Sequence, residues 1–522
     1  MLTPDYLDTL PDAVAALWQQ VEDDILQDIA RRIGALDEIE PLTPTAAWQA
    51  WRYEQMQACH QDALSTIARY SGRSRDAIRK TMRDAGLETL ADDDALYKAL
   101  GFAPSAIDTN ETLNNLLSAG YRQTLGTWQN LTATTANTVT GELERALDRA
   151  WLQVSSGAFS YATAIRRAVD GLADHMAGVT YPSGHKDTLE VAVRRAVLTG
   201  TNQTCAQLQL ARPDEMGCEF FEVSAHAGAR PEHAVWQGRV YHRGGAVELD
   251  GVRYEDFETA TGYGTGPGLC GWNCRHSFYP FFPGASRRLY DEAALERLSA
   301  KSVEYGGEMY TEYEISQMQR ALEREVRAAK RRFLAEKAAG VDTARSSLRL
   351  RDARRALNDF LGATGGKLSA ARTDVAGFGV SEARQTTREV QDYTRIERFR
   401  EENLAQSAEE LLPGHAEAAV PPAKLTDYLL NPDHPKGGSK AVAFRDVLGY
   451  TRENAQELAA ALQAGLGQWK ATARAATKYG RPYEVRMLLT GPNGRQATVK
   501  TGWIIDADGK PRLTSAYIYK GL

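Results

Sequence analysis

Near the start of the chain, apolar residues recur at three- and four-residue steps: Val14, Leu17, Trp18, Val21, Ile25 and Ile29. That spacing lays them on one face of an amphipathic helix. Thr3-Pro4 and Thr43-Pro44 each set a hydroxyl cap before a proline at the first helical position, where a missing N–H costs nothing, so helices are expected to begin at both. Helical patterns run on to about Met176, punctuated by Gly72, Gly86, Gly101, Gly120 and Gly171, and predict an α-helical domain over residues 1–176. Within it, the stretch from Ser65 to Ser74, followed by Arg75, Arg79, Lys80 and Arg83, predicts a helix, a short turn at Gly72 and a second helix. A DNA-reading helix-turn-helix has this layout, and so does any αα-hairpin with a solvated basic face. No base-reading set of side chains is identifiable, which favours the hairpin.

The pattern then changes. Residues 187–212 read as one more helix, with Leu189, Val193, Val197 and Leu198 on one side, and CEFFEV (218–223) reads as a half-buried strand. Up to Gly284 the chain is rich in Gly, His, Trp, Tyr and Pro, with strands expected over Gly238–His242 and Val247–Tyr254, so residues 187–290 are expected to form a loop-rich α+β domain. Residues 300–361 return to strong helix formers with a break near Gly340. Between 318 and 355, twelve Lys or Arg stand against five Asp or Glu, which reads as a solvated face neutralised in part by acids such as Glu323, four before Arg327, with a contact to DNA or an acidic neighbour as the alternative. Residues 362–422, with GATGG, GFG and VPP, read as a linker holding a short helical or strand segment and ending at a boundary near Pro421-Pro422. Residues 423–519 predict a small α+β domain: helices around 441–444 and 452–463, then strands EVRMLL, ATVKTGWII and RLTSAYIY. Gly491-Pro-Asn-Gly494 and Asp506-Ala-Asp-Gly509 are the turns of a three-stranded antiparallel sheet. The fold class expected for the whole is α+β.

Composition narrows the function classes. The 522 residues exceed what one core serves, and 43% hydrophobic with 25% charged residues is the balance of globular proteins. No run approaches eighteen apolar residues and the opening MLTPDYLDTLPD is acidic, so neither a membrane span nor a secretory signal is expected. Five scattered cysteines point to a reducing compartment, and a net charge of −6 argues against wholesale coating of nucleic acid.

The densest chemistry lies at Ser224–Gly238 and Cys270–His276. His226, His233, Cys270, Cys274 and His276 offer thiolates and imidazoles for a tetrahedral zinc ion, although their spacing is not that of a known finger. The competing reading, which needs no cofactor, is a polar network in which His226, Arg230, His233, Asn273 and His276 pin glycine-rich loops. A thiol enzyme, with Cys270 or Cys274 activated by His233 or His276, is a third option without a flanking signature.

The runs VSAHAGARPEHAVWQGRVY (223–241) and GLCGWNCRHSFYPFFPG (268–284), behind TPDYLDTLPDAVAALWQQVEDDI and RRAVLTGTNQTCAQL (194–208), resemble the phage minor capsid protein 2 family, a relative of the Mu-type head morphogenesis proteins. The likeness covers roughly residues 1–360. It implies a non-enzymatic part of a tailed-phage or prophage virion, assembled in the host cytoplasm and acting at the portal vertex in head assembly or DNA delivery. The portal protein, other head proteins and packaged DNA are the implied partners. In the Mu-type relatives the equivalent loops carry cysteine and histidine groups that look like metal ligands; here Arg230-Pro-Glu-His233 and Asn273-Cys274-Arg275-His276 stand in their places, so only part of that set is present. Residues 423–519 resemble a small bacterial domain of unknown function. Mu-type head proteins also bear exchangeable toxin domains, so a ribonuclease-like effector is the alternative for this end. His434 would then act as general acid or base and Lys440 would stabilise a phosphorane, with Arg486 or Arg512 presented by the sheet.

Overall fold

A computed structural model of the chain describes residues 2–175, 178–180, 186–505 and 508–519, in two compact units, Met1–Thr386 and Thr387–Leu522. The first unit opens with α1 (Pro4–Thr9), capped by the Thr3 hydroxyl, which accepts from the Tyr6 N–H at 3.2 Å. Then come α2 (Asp12–Gly34), α3 (Thr45–Ala99), α4 (Glu111–Ser155), α5 (Tyr161–His175), the hairpin β1 (Gly178–Thr180) with β2 (Lys186–Thr188), and α6 (Leu189–Met216). Met176, at the expected domain end, lies outside the described residues. Trp18, Val21, Ile25 and Ile29 of α2 are buried with Ile78, Leu143, Leu147, Val169 and Val193 in one core. Trp48 stacks on Trp151 at 4.5 Å, and Trp18 meets Trp128 edge-on at 5.4 Å.

The turn expected at Gly72 is absent: α3 runs through it for 55 residues, about 80 Å at 1.5 Å per residue. The stripe Ala63, Ile67, Ser74, Ile78, Met82 and Ala85 stays buried on both sides of the glycine. The Ser71 and Ser74 hydroxyls donate to the carbonyls of Ile67 and Tyr70 at 2.7 and 2.9 Å, so they are satisfied without ending the helix. Arg75, Arg79, Lys80 and Arg83 are exposed on this one continuous helix. Gly86, Gly120 and Gly171 also lie inside helices, and only Gly101 follows a helix end. At Gly120 and Gly200 the reason is closeness: a Cβ at Gly120 would sit 2.0 Å from Thr204 Oγ1, and one at Gly200 2.1 Å from Thr124 Oγ1, so the two glycines let α4 and α6 cross in contact.

Strands β3 (Phe220–Val223), β4 (Val240–His242), β5 (Val247–Leu249), β6 (Val252–Asp256) and β7 (Phe278–Phe281) form a sheet ordered β5-β6-β4-β3-β7. The single strand expected over Val247–Tyr254 is instead a hairpin, folded at Asp250 and Gly251, which both take positive φ. Two short helices, α7 (Pro231–Ala234) and α8 (Phe257–Thr261), sit in the loops. Beyond α9 (Glu292–Ser299) and the hairpin β8 (Val303–Tyr305) with β9 (Glu308–Tyr310), the chain forms α10 (Glu312–Ala338), α11 (Ala344–Thr364), α12 (Ala370–Thr373) and α13 (Val380–Asn403).

The basic run is solvated only in part: Arg345, Arg351 and Arg355 of α11 are exposed, but most of the α10 portion is turned inward. Arg327, Lys330 and Arg332 of α10 are buried, and Arg331 reaches into α2 to pair with Glu22 at 2.7 Å and Asp23 at 2.6 Å. Arg327 pairs with Glu190 of α6 at 2.5 Å rather than with Glu323, and Arg332 with Asp170 of α5 at 3.3 Å. Burial opposes the charge on Arg331, but Glu22 and Asp23 outweigh it and hold the guanidinium protonated; burial also pushes the Asp23 carboxyl up to about 6 against the pull of Arg331.

The units divide at Thr386/Thr387, within α13 and upstream of Pro421-Pro422. Residues 362–422, read as a linker, include the 24-residue α13 and give Phe399, Leu412 and Ala418 to the core of the second unit. That core continues through a π-helical turn (Lys424–Leu429), α14 (Gly438–Leu448) and α15 (Ala455–Leu466) onto a sheet. The sheet has four strands: the expected β11 (Arg481–Thr490), β12 (Gln496–Ile505) and β13 (Pro511–Ile518), plus a short edge strand, β10 (Ala471–Ala473). The β11–β12 turn falls at Gly491–Gly494 as expected; at the β12–β13 turn Asp506 and Ala507 lie outside the described residues, while Gly509 takes positive φ. Among the described residues no helix is long and apolar enough to cross a membrane. The class is α+β.

Candidate functional site

Strand β3 carries the chain from the sheet into Ser224-Ala-His226, and α7, begun by Pro231, turns His233 inward. The facing loop, 262–277, is folded on itself by close glycine contacts: a Cβ at Gly268 would lie 1.9 Å from the Gly262 carbonyl oxygen. Cys270 and Asn273 take φ of +57° and +52°, in the left-handed region that non-glycine residues seldom enter. These bends bury Cys270, Cys274 and His276.

Three of the residues singled out in the sequence converge. His233 Nδ1 and His276 Nδ1 are 3.4 Å apart, and Cys274 Sγ lies 3.7 Å from the first and 3.6 Å from the second. With zinc–nitrogen and zinc–sulfur bonds of about 2.0–2.1 and 2.3 Å, a tetrahedral face has edges of about 3.3 Å between nitrogens and about 3.6 Å from nitrogen to sulfur. The triangle therefore fits a zinc-type cation. Behind it, His276 Nε2 is 3.0 Å from Gln237 Oε1, and that oxygen also accepts from the His226 N–H at 3.0 Å. An Nε2–H donated to Gln237 leaves the Nδ1 lone pair of His276 facing the triangle.

His233 Nε2 has two neighbours at 2.8 Å of opposite demand: the Pro267 carbonyl, which needs a donor, and Arg230 Nη2, which can only donate. With the proton on Nε2, His233 bonds Pro267 and offers its Nδ1 lone pair to a cation. With the proton on Nδ1, it accepts from Arg230 and donates into the cluster, which closes the network without a cation. One arrangement of residues thus serves both the zinc reading and the polar-network reading, distinguished by one tautomer.

The other candidates take different places. His226 lies against His276, with centroids 4.6 Å apart, but among the described residues its buried Nε2 has no hydrogen-bond partner, and it lies outside the triangle. Cys270 Sγ points to the His276 carbonyl at 3.6 Å. Asn273 is exposed and contributes its bent backbone, whose N–H donates to Thr199 Oγ1 at 3.3 Å. Burial lowers the pKa of His276 well below the usual histidine value, with further lowering by His226 and His233, and pushes His226 down to about 4. The imidazoles are therefore neutral, as metal ligands must be. Burial pushes the Cys274 thiol up and the Cys270 thiol well up, the reverse of an activated thiolate nucleophile.

Sequence reasoning missed Gln237 and Asn202. Asn202, on α6, donates to the Cys274 and His276 carbonyls, each at 3.1 Å, and ties the loop to the helical core. Only its place in RRAVLTGTNQTCAQL hinted at it.

In the second unit, His434 Nδ1 accepts from the Lys436 and Gly437 N–H groups at 3.1 and 3.0 Å, closing the turn before α14. Lys440 Nζ donates to Tyr428 OH at 3.0 Å, and the His434 ring meets Tyr428 edge-on at 4.9 Å. Lys440 lowers the Tyr428 hydroxyl pKa through that bond, helped by the charges of Lys424 and Lys436. Tyr428, not singled out in the sequence, thus joins His434 to Lys440. Arg486 is held by Glu484 at 3.0 Å and lies over the Tyr519 ring, and Arg512 is exposed on β13.

Residues 411–520 match the domain of unknown function DUF6883. Over 301 residues the chain is 26% identical to a structural protein of Lactococcus phage LL-H, covering 55% of this chain and 76% of that relative. No solved structure matches. Residues 2–362, which contain the whole His–Cys cluster and the helices around it, match the family model of phage minor capsid protein 2, and the chain belongs to that family of structural phage proteins.

Proposed function

We propose that this protein is a non-enzymatic structural part of the virion that acts at the portal vertex in head assembly or DNA delivery. Its partners are the portal protein, other head proteins and packaged DNA, and it is assembled in the host cytoplasm. The observation that supports this most is that the family match spans the helical bundle, the sheet and the His–Cys loops together, so most of the first unit is shared rather than one motif. Cross-linking of purified virions, read by mass spectrometry, is expected to join residues of the first unit to the portal protein; links confined to tail proteins would overturn the placement.

In this reading His233, Cys274 and His276 hold a structural zinc ion that fixes the loops to α6. Purified protein is expected to carry about one zinc per chain, lost in Cys274→Ala together with several degrees of melting temperature. Metal content near zero, with no effect of chelator on melting, would leave the Arg230-bonded network as the structural device.

The contact of Lys440 with Tyr428 favours a second reading for residues 387–522 alone, that of a ribonuclease-like effector. Full-length protein expressed in bacteria would then arrest growth and degrade RNA, and a His434→Ala, Lys440→Ala chain would not. Unchanged growth with soluble protein leaves this unit an interaction module.

A further inference from the structure

Beside the His–Cys cluster, within the first unit, lies a cavity of about 340 Å³ bounded by α1, α6, α10, α12 and the 226–233 and 273–276 loops. Its walls carry seven arginines. Three of them converge on one carboxylate: Asp8 meets Arg372 at 2.5 Å, Arg275 at 2.8 Å and Arg320 at 3.7 Å. Arg194 donates to the Asp8 carbonyl at 3.2 Å and pairs with Asp12, and Arg327 pairs with Glu190. Glu323 stands 3.8 Å from Arg372. Arg230 and Arg324 also line the space, and neither meets a carboxylate among the described residues. Setting Asp5, Asp8, Asp12, Glu190 and Glu323 against the seven leaves two positive charges in excess.

Charge of one sign gathered in a half-enclosed space raises the local concentration of counter-ions, and the guanidinium fork matches the oxygens of a phosphate two at a time. Asp8, held by three guanidiniums, already displays the chemistry that the cavity prefers. Its single charge leaves an excess that a phosphate dianion matches better than a second carboxylate. The volume is near the lower end for small-molecule sites and suits a phosphate ester of mononucleotide size.

We propose that this cavity binds a phosphate group, either free or at the end of a nucleic-acid strand. His226, His233, Cys274 and His276 line the cavity together with the arginines, but the proposal rests on the guanidiniums, not on a zinc ion or on the placement in the head. Full-length protein is titrated with inorganic phosphate, and with a short single-stranded oligonucleotide carrying or lacking a 5′-phosphate, at ionic strength matched with sodium chloride. Saturable stabilisation by phosphate alone assigns a free-phosphate site. Binding of the 5′-phosphorylated strand at least tenfold tighter than the unphosphorylated one, and displaced by phosphate, assigns a strand end. Arg324→Ala, at an exposed position, combined with Arg320→Ala is expected to weaken either by tenfold or more. Asp8→Asn is expected to tighten binding several-fold by releasing Arg275 and Arg372, whereas arginines with a purely structural role would respond with lower melting temperature and unchanged phosphate dependence. No response to phosphate or phosphorylated strand beyond the sodium chloride control, or equal binding by the arginine variants, overturns the proposal.

Discussion

Both units have an apolar core, but the first adds buried pairs of charge to it. In the first, charged groups far apart in sequence meet: Arg331 with Glu22 and Asp23 and Arg327 with Glu190 out of water, and Asp8 with three arginines at the half-buried wall of the cavity. In the second, Phe444, Leu458, Leu462, Val485, Met487 and Trp503 make an apolar core of neighbouring helices and antiparallel strands, and Glu484, Arg486 and Lys500 pair on the more exposed side. Apolar burial is tolerant of partner identity and is encoded by local periodicity. A buried ion pair works only if one particular partner arrives, and nothing in the local pattern names it.

The largest effect that separates the two is expected for Arg331→Ala. It leaves Glu22 and Asp23 buried without a guanidinium and is expected to cost the first unit about 3–5 kcal/mol. Amide hydrogen exchange should accelerate in α2 and α10 while β11 and β12 keep their protection. Leu462→Ala tests the other side of the contrast: a cavity in the second core is expected to cost about 2–4 kcal/mol there. A cost from Arg331→Ala below about 1 kcal/mol would erase the distinction.

The contrast also sets a pH dependence. Burial pushes the Glu336 carboxyl up to about 7, although the Ser346 hydroxyl donates to it. Because the folded value lies above the unfolded one, the proton-linked stability is fully present below about pH 4.5 and is lost as pH rises through about 7. Glu336→Gln should therefore remove roughly 2–3 kcal/mol of stability loss between pH 5 and 8, measured by denaturant melts. The smallest effect is expected at Gly72, exposed in mid-helix with nothing within 4 Å of an added Cβ. Gly72→Ala should stabilise the first unit by about 0.5–1 kcal/mol.

How much was legible follows the same division. The hairpin turn at Gly491–Gly494, the strands around it, the cap at Thr3 and the break near Gly340 are short-range signals, and the structure places elements where they point; a helix also begins beside Pro44, but with Pro44 itself at the N-cap and no cap from the Thr43 hydroxyl. Gly72 misled because one glycine costs a helix only about 1 kcal/mol, less than the packing on either side of it restores. The basic run misled because its partners lie up to three hundred residues away, and the linker because Phe399 and Leu412 find their neighbours beyond residue 425. At the site, His233, Cys274 and His276 were legible as residue types. Their selection from five candidates was not, since it depends on positive φ at Cys270 and Asn273 and on Gln237.

The pairing of Asp8, Glu22 and Asp23 with Arg372 and Arg331 also sets a timetable for the nascent chain. During synthesis the acidic residues of α1 and α2 emerge first and wait for more than three hundred codons to be read before their guanidinium partners leave the ribosome. Contacts of such long sequence separation form late and slowly, so the first unit spends its synthesis as an incomplete bundle with a charged seam open to solvent. Closure of that seam by α10 and α12 can come only after α1 to α6 have been made.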